Sequence, residues 1–347
     1  MRKCFLVAFG LFFSVLNAQT GGDSTYEFLN LVSSARIEAL GGKSIAVLDD
    51  DPNLAFYNPS LYNPQMHDQL AFNYVNYFAD IGHGSAMMVK DYEGIGTIGA
   101  GVQFVNYGSF DAYNETGQAE GTFNASEFAL NVGLGRKLNE RFRIGGNTKF
   151  VYSSLADLTS IGMLFDFGAT FYNPDKKLTA SLTLRNVGFQ ITPYEEGNSA
   201  SMPLEIQVAI SKRLEHMPLR WHIILQNLET LGLSYEDPNS VKVDELTGET
   251  VEEEPFFGDK ILRHVVLGGE FLLSKSFHVR FGYNYRRRQE LGLYDLRKGS
   301  GFSWGFSFKI SKFHMSYGRS TYHVAGANNV FSITTNLNKF GKKSKKL

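Results

Sequence analysis

Three consecutive carboxylates, Asp49, Asp50 and Asp51, with Asn53 close behind, are the residues whose types and spacing first suggest chemistry. Asp49-x-Asp51-x-Asn53 matches the opening of a calcium loop, in which oxygen ligands recur along a tight turn. The match ends there, because the sixth position is Leu54 where such a loop needs glycine and the twelfth is Ser60 where it needs a bidentate Glu. A turn capped by carboxylates is the better reading, and Pro52-Asn53 and Asn58-Pro59-Ser60 continue it as tight, locally hydrogen-bonded turns. The eight histidines show no H-E-x-x-H or other ligand spacing. There is no G-x-S-x-G elbow, no S-x-x-K pair and no phosphate-binding G-x-x-x-x-G-K-[ST]. The glycine-rich run from Gly94 to Gly101 opens a strand instead of joining a strand to a helix, so close strand packing or room for a plug explains it better than nucleotide binding. The expectation is a protein that is not an enzyme and holds neither metal nor cofactor.

Arg36 is the remaining charged residue of interest. It stands beside Ser34 and Ala35 in an apolar, helix-like stretch. Buried in a lumen, its guanidinium would need carboxylate or carbonyl partners and would pin a plug to the wall. Facing solvent, it would need none, and spacing alone leaves both readings open.

The elements that position these groups differ sharply along the chain. Tyr26, Phe28, Leu29, Leu31, Val32, Ala35, Ile37, Ala39 and Leu40 recur at three-to-four-residue spacing, which predicts one short helix stopped by Gly41-Gly42. The stretch from Thr25 to Leu61 is too short to build its own core and must borrow one. From Gln69 onward the pattern changes to two-residue alternation. Ile144, Gly146, Thr148, Phe150 and Tyr152 alternate with Arg143, Gly145, Asn147, Lys149 and Val151, and Phe277 to Arg286 and Phe302 to Ile310 repeat the pattern. About fourteen strands are expected, near 69–78, 82–90, 95–107, 123–136, 141–154, 158–172, 178–189, 203–213, 219–229, 262–273, 277–288, 301–311, 313–321 and 328–337, many of them long enough to cross a membrane at a tilt. A soluble sandwich also alternates. The asymmetry of the connections decides for a barrel: short turns fall on one side and every long loop on the other. The predicted class is all-β, a transmembrane antiparallel β-barrel with an N-terminal helical plug or hatch.

Composition agrees. Gly (35), Phe (29) and Tyr (17) are all frequent, and a 43% hydrophobic fraction with slightly negative mean hydropathy excludes a bundle of membrane helices. A formal net charge of −1 argues against nucleic acid as a partner. Arg2 and Lys3, the apolar run from Phe5 to Leu16 and Leu16-Asn17-Ala18 read as a cleavable signal peptide. The expected organisation is a signal peptide over 1–18, a plug segment over 19–66, the barrel over 67–338 and a basic tail over 339–347. The only cysteine is Cys4, inside that leader, so the exported chain is expected to lack disulfides. The long loop from Thr230 to Ile261 is strongly acidic: Glu236, Asp237, Glu252, Glu253 and Glu254 with Phe256 and Phe257 make a candidate docking surface, and a solvated charge block is the bland alternative. For the basic tail the choice is between a disordered end and a periplasmic contact with an acidic partner.

The ordered set Thr25 to Leu31, Ser34-Ala35-Arg36, Ala39-Leu40-Gly41-Gly42, Asp49-Asp50-Asp51-Pro52 and Asn58-Pro59-Ser60 resembles the amino-terminal signature of the PorV/PorQ group of type IX secretion outer-membrane proteins, nearest its PorQ members. That group is related to FadL-type channels, barrels whose amino-terminal hatch carries an Asn-Pro-Ala turn. Ser60 departs from that turn, so the hatch role carries over to Asn58 and Pro59 only, alongside Ser34, Ala35, Arg36, Gly41, Gly42, Asp49 and Asp51 as plug residues. The resemblance implies an outer-membrane, non-enzymatic component of the cargo attachment complex. Its expected partners are outer-membrane lipid and lipopolysaccharide, a PorZ-like surface protein, and PorU- and PorV-like proteins. A FadL-like transporter of hydrophobic small molecules is the alternative.

Overall fold

The structure is a computed structural model describing residues 24–77, 81–230, 232–233, 242–243, 250–251, 257–290, 299–323 and 326–341. The expected signal peptide, the acidic loop residues Glu236, Asp237, Glu252, Glu253, Glu254 and Phe256, and the tail beyond 341 lie outside them.

Fourteen antiparallel strands close into one barrel. They are β1 Gln69–Asn76, β2 Gly82–Tyr92, β3 Gly96–Tyr113, β4 Ala119–Lys137, β5 Phe142–Leu155, β6 Leu158–Asn173, β7 Leu178–Thr192, β8 Glu205–Arg213, β9 Leu219–Leu225, β10 Val265–Phe271, β11 Phe277–Asn284, β12 Phe302–Ile310, β13 Phe313–His323 and β14 Gly326–Asn336. First and last strands seal the wall, with Gln69 opposite Asn336 and Asn76 opposite Asn329. Closure leaves no unpaired edge, the condition for crossing a bilayer with strands.

The polarity of the wall separates this barrel from a soluble one. Phe72, Tyr74, Phe128, Leu130, Val132, Phe150 and Trp304 point outward and are exposed, while Asn131, Asn147, Lys149, Asp166, Gln207, Glu270 and Arg280 are buried on the inner face. A water-soluble sheet would reverse this arrangement, because the apolar face is the one water drives inward. An apolar outer belt around a polar interior is instead the arrangement of outer-membrane barrels.

Several boundaries depart from the sequence reading. β3 and β4 extend into the expected loop 109–122, where Phe110 and Phe123 stack across the strands with centroids 5.3 Å apart. The strand expected over 219–229 ends at Leu225, and Asn227 follows in a left-handed conformation at φ 52°. The one expected over 277–288 stops at Asn284, whose side chain accepts a hydrogen bond from Arg287 N and so caps a helix over Tyr285–Glu290. A further helix, Phe257–Leu262, takes the start of the strand expected over 262–273.

The single helix expected across Tyr26 to Leu40 is also replaced. Glu27–Asn30 is a 3-10 turn, Leu31 and Ser34 are extended, and only Ala35–Ala39 (α1) is α-helical. Tertiary partners take the backbone groups a continuous helix would use: Ser33 N donates to Tyr57 Oη and Ala35 N to Ser332 Oγ. Periodicity reports which side chains are buried, and here burial is achieved by an irregular chain wrapped by a wall. The expected stop is present. Gly41 and Gly42 have φ of 93° and 82°, and Gly42 N reaches back to Ile37 O, a Schellman-type end.

Residues 24–66 lie within the ring of strands. Their apolar side chains share clusters with the wall: Leu54, Phe56, Leu61 and Tyr62 with Ala71, Met87 and Val89, and Phe28 and Leu29 with Val105, Ala129, Val151 and Leu164. The core that this segment was too short to make is supplied by the barrel.

Candidate functional site

Two of the places where the inner segment meets the wall differ in their chemistry. The first is centred on Glu270, on the inner face of β10 and fully buried. Three guanidinium groups converge on its carboxylate: Arg36 at 3.1 and 3.0 Å, Arg220 of β9 at 2.8 Å and Arg280 of β11 at 2.6 Å. Arg36 also binds Asp49 at 2.7 and 3.1 Å and Asp51 at 3.2 Å. It therefore bridges two carboxylates of its own segment to one of the wall. Arginine suits this role, since its planar fork serves several carboxylates while staying charged. Burial alone would raise the Asp49 carboxyl, but Arg36 and then Arg220 hold it below the usual carboxylate range. Asp50 forms no ion pair among the described residues, and burial together with Asp49 and Asp51 pushes its carboxyl up.

The expected turn is present. Asp51 caps the helix Pro52–Tyr57 (α2) by accepting from Asn53 N at 3.1 Å, with Pro52 in the first turn. The carboxylates that began a calcium-like pattern are thus committed to a helix cap and to Arg36.

The second place is Asn58-Pro59-Ser60. Asn58 Oδ1 accepts from Ser60 N and Ser60 Oγ, while its amide donates to Ile45 O at 2.7 Å. Ser60 Oγ lies 2.6 Å from Thr170 Oγ1 on β6. The turn sits against inward-facing glycines: a Cβ on Gly145 would come within 2.2 Å of Pro59 O, and one on Gly168 within 2.2 Å of Asn58 Oδ1. Gly99, in the glycine-rich run, makes room for the Tyr62 ring, whose Cε1 would be 2.3 Å from such a Cβ. The space left at that position is filled by a side chain of the inner segment, whereas Gly101 in the same run packs against Ala86 and Met87 of the neighbouring strand.

The other candidates fall along the same segment. Ser34 is the buried N-cap residue of α1 and its Oγ has no hydrogen-bond partner. Ala35 is fully buried against Gly318, and Gly41 passes so close to Gly282 that a Cβ there would be 2.1 Å from Gly41 N. Gly42 faces the guanidinium of Arg287, which pairs with Glu38 at 3.3 Å. Of the proposed docking residues only Phe257 is described, at the start of the helix Phe257–Leu262.

Sequence reasoning missed the wall's half of the contacts. Glu270, Arg220 and Arg280 were not singled out, nor was the second ion cluster in which Lys43 and Arg185 share Glu205 at 2.5 and 3.0 Å. Arg280 occupied the polar side of a recognised alternation, and that was the available signal: a charge on the inner face of a narrow barrel must meet a partner.

No protein-family model matches the chain, and no curated protein matches it by sequence. Among solved structures it is similar to the toluene transporter TodX of Pseudomonas putida (11% identity, 88% of this chain and 98% of that one, TM-score 0.54). It is similar in the same way to the toluene transporter TbuX of Ralstonia pickettii (11% identity, 88% and 99%, TM-score 0.53), and at TM-score 0.48 to a FadL homologue of Pseudomonas aeruginosa. At such identity the likeness to the two toluene transporters is one of fold, the closed fourteen-stranded barrel.

Proposed function

We propose that this protein is a gated outer-membrane conduit for hydrophobic small molecules, with residues 24–66 as its hatch. The observation that carries the reading is the inner segment itself, standing inside a barrel of the toluene transporters' fold. Apart from one bridge between Ser24 and Ser201, no strand pairing joins the described part of the segment to the wall. Arg36, Asp49 and Asp51 fasten it on one side, and Asn58 and Pro59 seat it on the other. Ion pairs and hydrogen bonds exchange partners without breaking the sheet, which a gate requires.

The test is a reversible tether. Ser33 Oγ and Ser85 Oγ are 2.8 Å apart across the segment and β2, so Ser33→Cys/Ser85→Cys in a Cys4→Ser background joins hatch to wall by a disulfide. In cells lacking their own FadL-type channels, the protein should accelerate entry of labelled toluene, oxidation of the tethered variant should stop it, and a reductant should restore it. Uptake indifferent to the tether removes the hatch from the mechanism. No uptake above background removes the conduit.

A second reading, anchorage of a surface partner in a type IX attachment complex, is supported by the close filling of the lumen around Tyr62, Pro59 and Gly41, together with the ordered amino-terminal motifs. It makes the loop 230–261 the contact for a PorZ-like protein. Affinity capture from solubilised outer membranes should then recover that protein in stoichiometric amount and lose it when the loop is shortened.

A further inference from the structure

The Glu270 network forms one wall of a cavity of about 480 Å³ at the short-turn end of the barrel. Its lining is unbalanced in charge, with eight Lys and Arg side chains against three Asp. Arg36, Arg220 and Arg280 are engaged by Glu270, Asp49 and Asp51. The other five are Arg213, Lys275, Lys309, Lys312 and Lys339, none of which makes an ion pair among the described residues. Lys312 instead lies over the Phe340 ring at 4.5 Å. Against the one remaining carboxylate of the lining, Asp50, these five cations leave the concavity with an excess of positive charge, whose potential the low-dielectric wall focuses. A second observation points the same way: Arg280, whose side chain is 1% exposed, lines the cavity and keeps its Nη1 without a hydrogen-bond partner.

We infer that this vestibule is a binding site for a soluble multivalent oxyanion, a phosphate- or polycarboxylate-bearing small molecule. Size supports a small ligand, since pockets of a few hundred Å³ suit molecules and not folded partners. Position excludes the headgroups of the surrounding bilayer. Arg213, Arg220, Arg280 and Lys309 belong to the inner-face register of β8, β9, β11 and β12, whereas lipid meets the outer belt of Phe277, Phe281 and Trp304. In the orientation of outer-membrane barrels the short turns face the periplasm, so the ligand arrives from that side. The inference rests on charge and geometry alone and holds for either role proposed above.

The test is calorimetric titration of the detergent-purified full chain with inorganic pyrophosphate and, in a separate arm, with citrate. Binding of either at one site per chain, weakening as salt is raised, is expected. Selectivity for one arm assigns the phosphate or the carboxylate class. Lys309→Gln/Lys312→Gln should weaken binding about tenfold or more, since each removes a charge-assisted contact. Lys275→Gln/Lys339→Gln provides a second, rim-placed pair should the first fail to give the heat-modifiable band of a folded barrel. Lys137→Gln, an exposed lysine paired with Glu140 away from the cavity, should bind as the parent does. Absence of binding in both arms, or equal weakening by Lys137→Gln, overturns the site.

Discussion

The inner segment is held on its Arg36 side by charge and on its Asn58 side by fit, and the two sides fail in different ways. Around Glu270 four side chains exchange short ion pairs in a buried, low-dielectric setting. Such a cluster adds little net stability compared with an apolar substitute, yet it is costly to break by halves, because the partners left behind remain buried and charged. At Asn58-Pro59-Ser60 the segment's backbone touches wall glycines, and the cost of change there is steric. A fastening that depends on charge answers to pH, salt and competing ions. A seat that depends on contact answers to none of these, so on the proposed hatch reading any release would begin on the Arg36 side.

The largest effect should follow Glu270→Gln, which keeps the shape and removes the charge facing Arg36, Arg220 and Arg280. Breaking a buried pair in this way costs about 3–5 kcal/mol, equivalent to roughly two to four orders of magnitude in the population of released segment. Ser44 is 2% exposed and its Oγ has no partner, so Ser44→Cys in a Cys4→Ser background is a quiet reporter of seating. Its reaction with a membrane-impermeant maleimide should accelerate by that order in the Glu270→Gln variant, and an unchanged rate would show that the charges fasten nothing.

A smaller effect, on the other side, distinguishes two adjacent glycines. Gly145 faces inward with Pro59 O where its Cβ would go, while Gly146 faces outward and its nearest atom would be 3.5 Å away. Gly145→Val should destabilise seating by about 1–3 kcal/mol, the usual cost of overpacking, and Gly146→Val should not. Because the mechanism is contact, added salt should leave the Gly145→Val labelling rate where it is. Equal effects from both glycines would mean that the strand, not the seat, was disturbed.

The same contrast explains what could be read from the sequence. Strand number and the inner and outer faces were legible because alternation is local: each residue of β5 announces its side through its immediate neighbours. Arg36 was legible as a question, since a guanidinium in an apolar stretch needs partners. Its answer was not, because Glu270 lies 234 residues away and nothing near either residue encodes the meeting. Gly145 and Gly168 looked like ordinary strand glycines, since the backbone that presses on them comes from Asn58 to Ser60. The predicted helix failed for a related reason. Its apolar spacing was real, but Ser33 and Ala35 spend their backbone groups on Tyr57 and Ser332.

The smallest effect separates the two sides by acidity. Asp49 is held below the ordinary carboxylate range while seated, and in the released segment it returns to that range. A carboxyl with a depressed seated value contributes stability that is present above its released value and fades as pH falls through the seated one. Asp50 has the opposite sign. Its raised value means that the ionised form opposes seating near neutrality and that protonation relieves the strain first. Measured relative to a free thiol at the same pH, which cancels the loss of reactive thiolate, Ser44→Cys labelling should therefore stay flat or slow slightly on acidification from neutral until Asp50 is protonated, then speed up as Asp49 takes up its proton. In the Asp50→Asn variant the early slowing should vanish while the later rise stays, and in Asp49→Asn the later rise should shrink. Gly145→Val should shift the whole curve upward without altering its shape, since a steric contact binds no proton. A rise that begins at the same pH in all three variants would place the proton-sensitive fastening outside the Asp49 side of the segment.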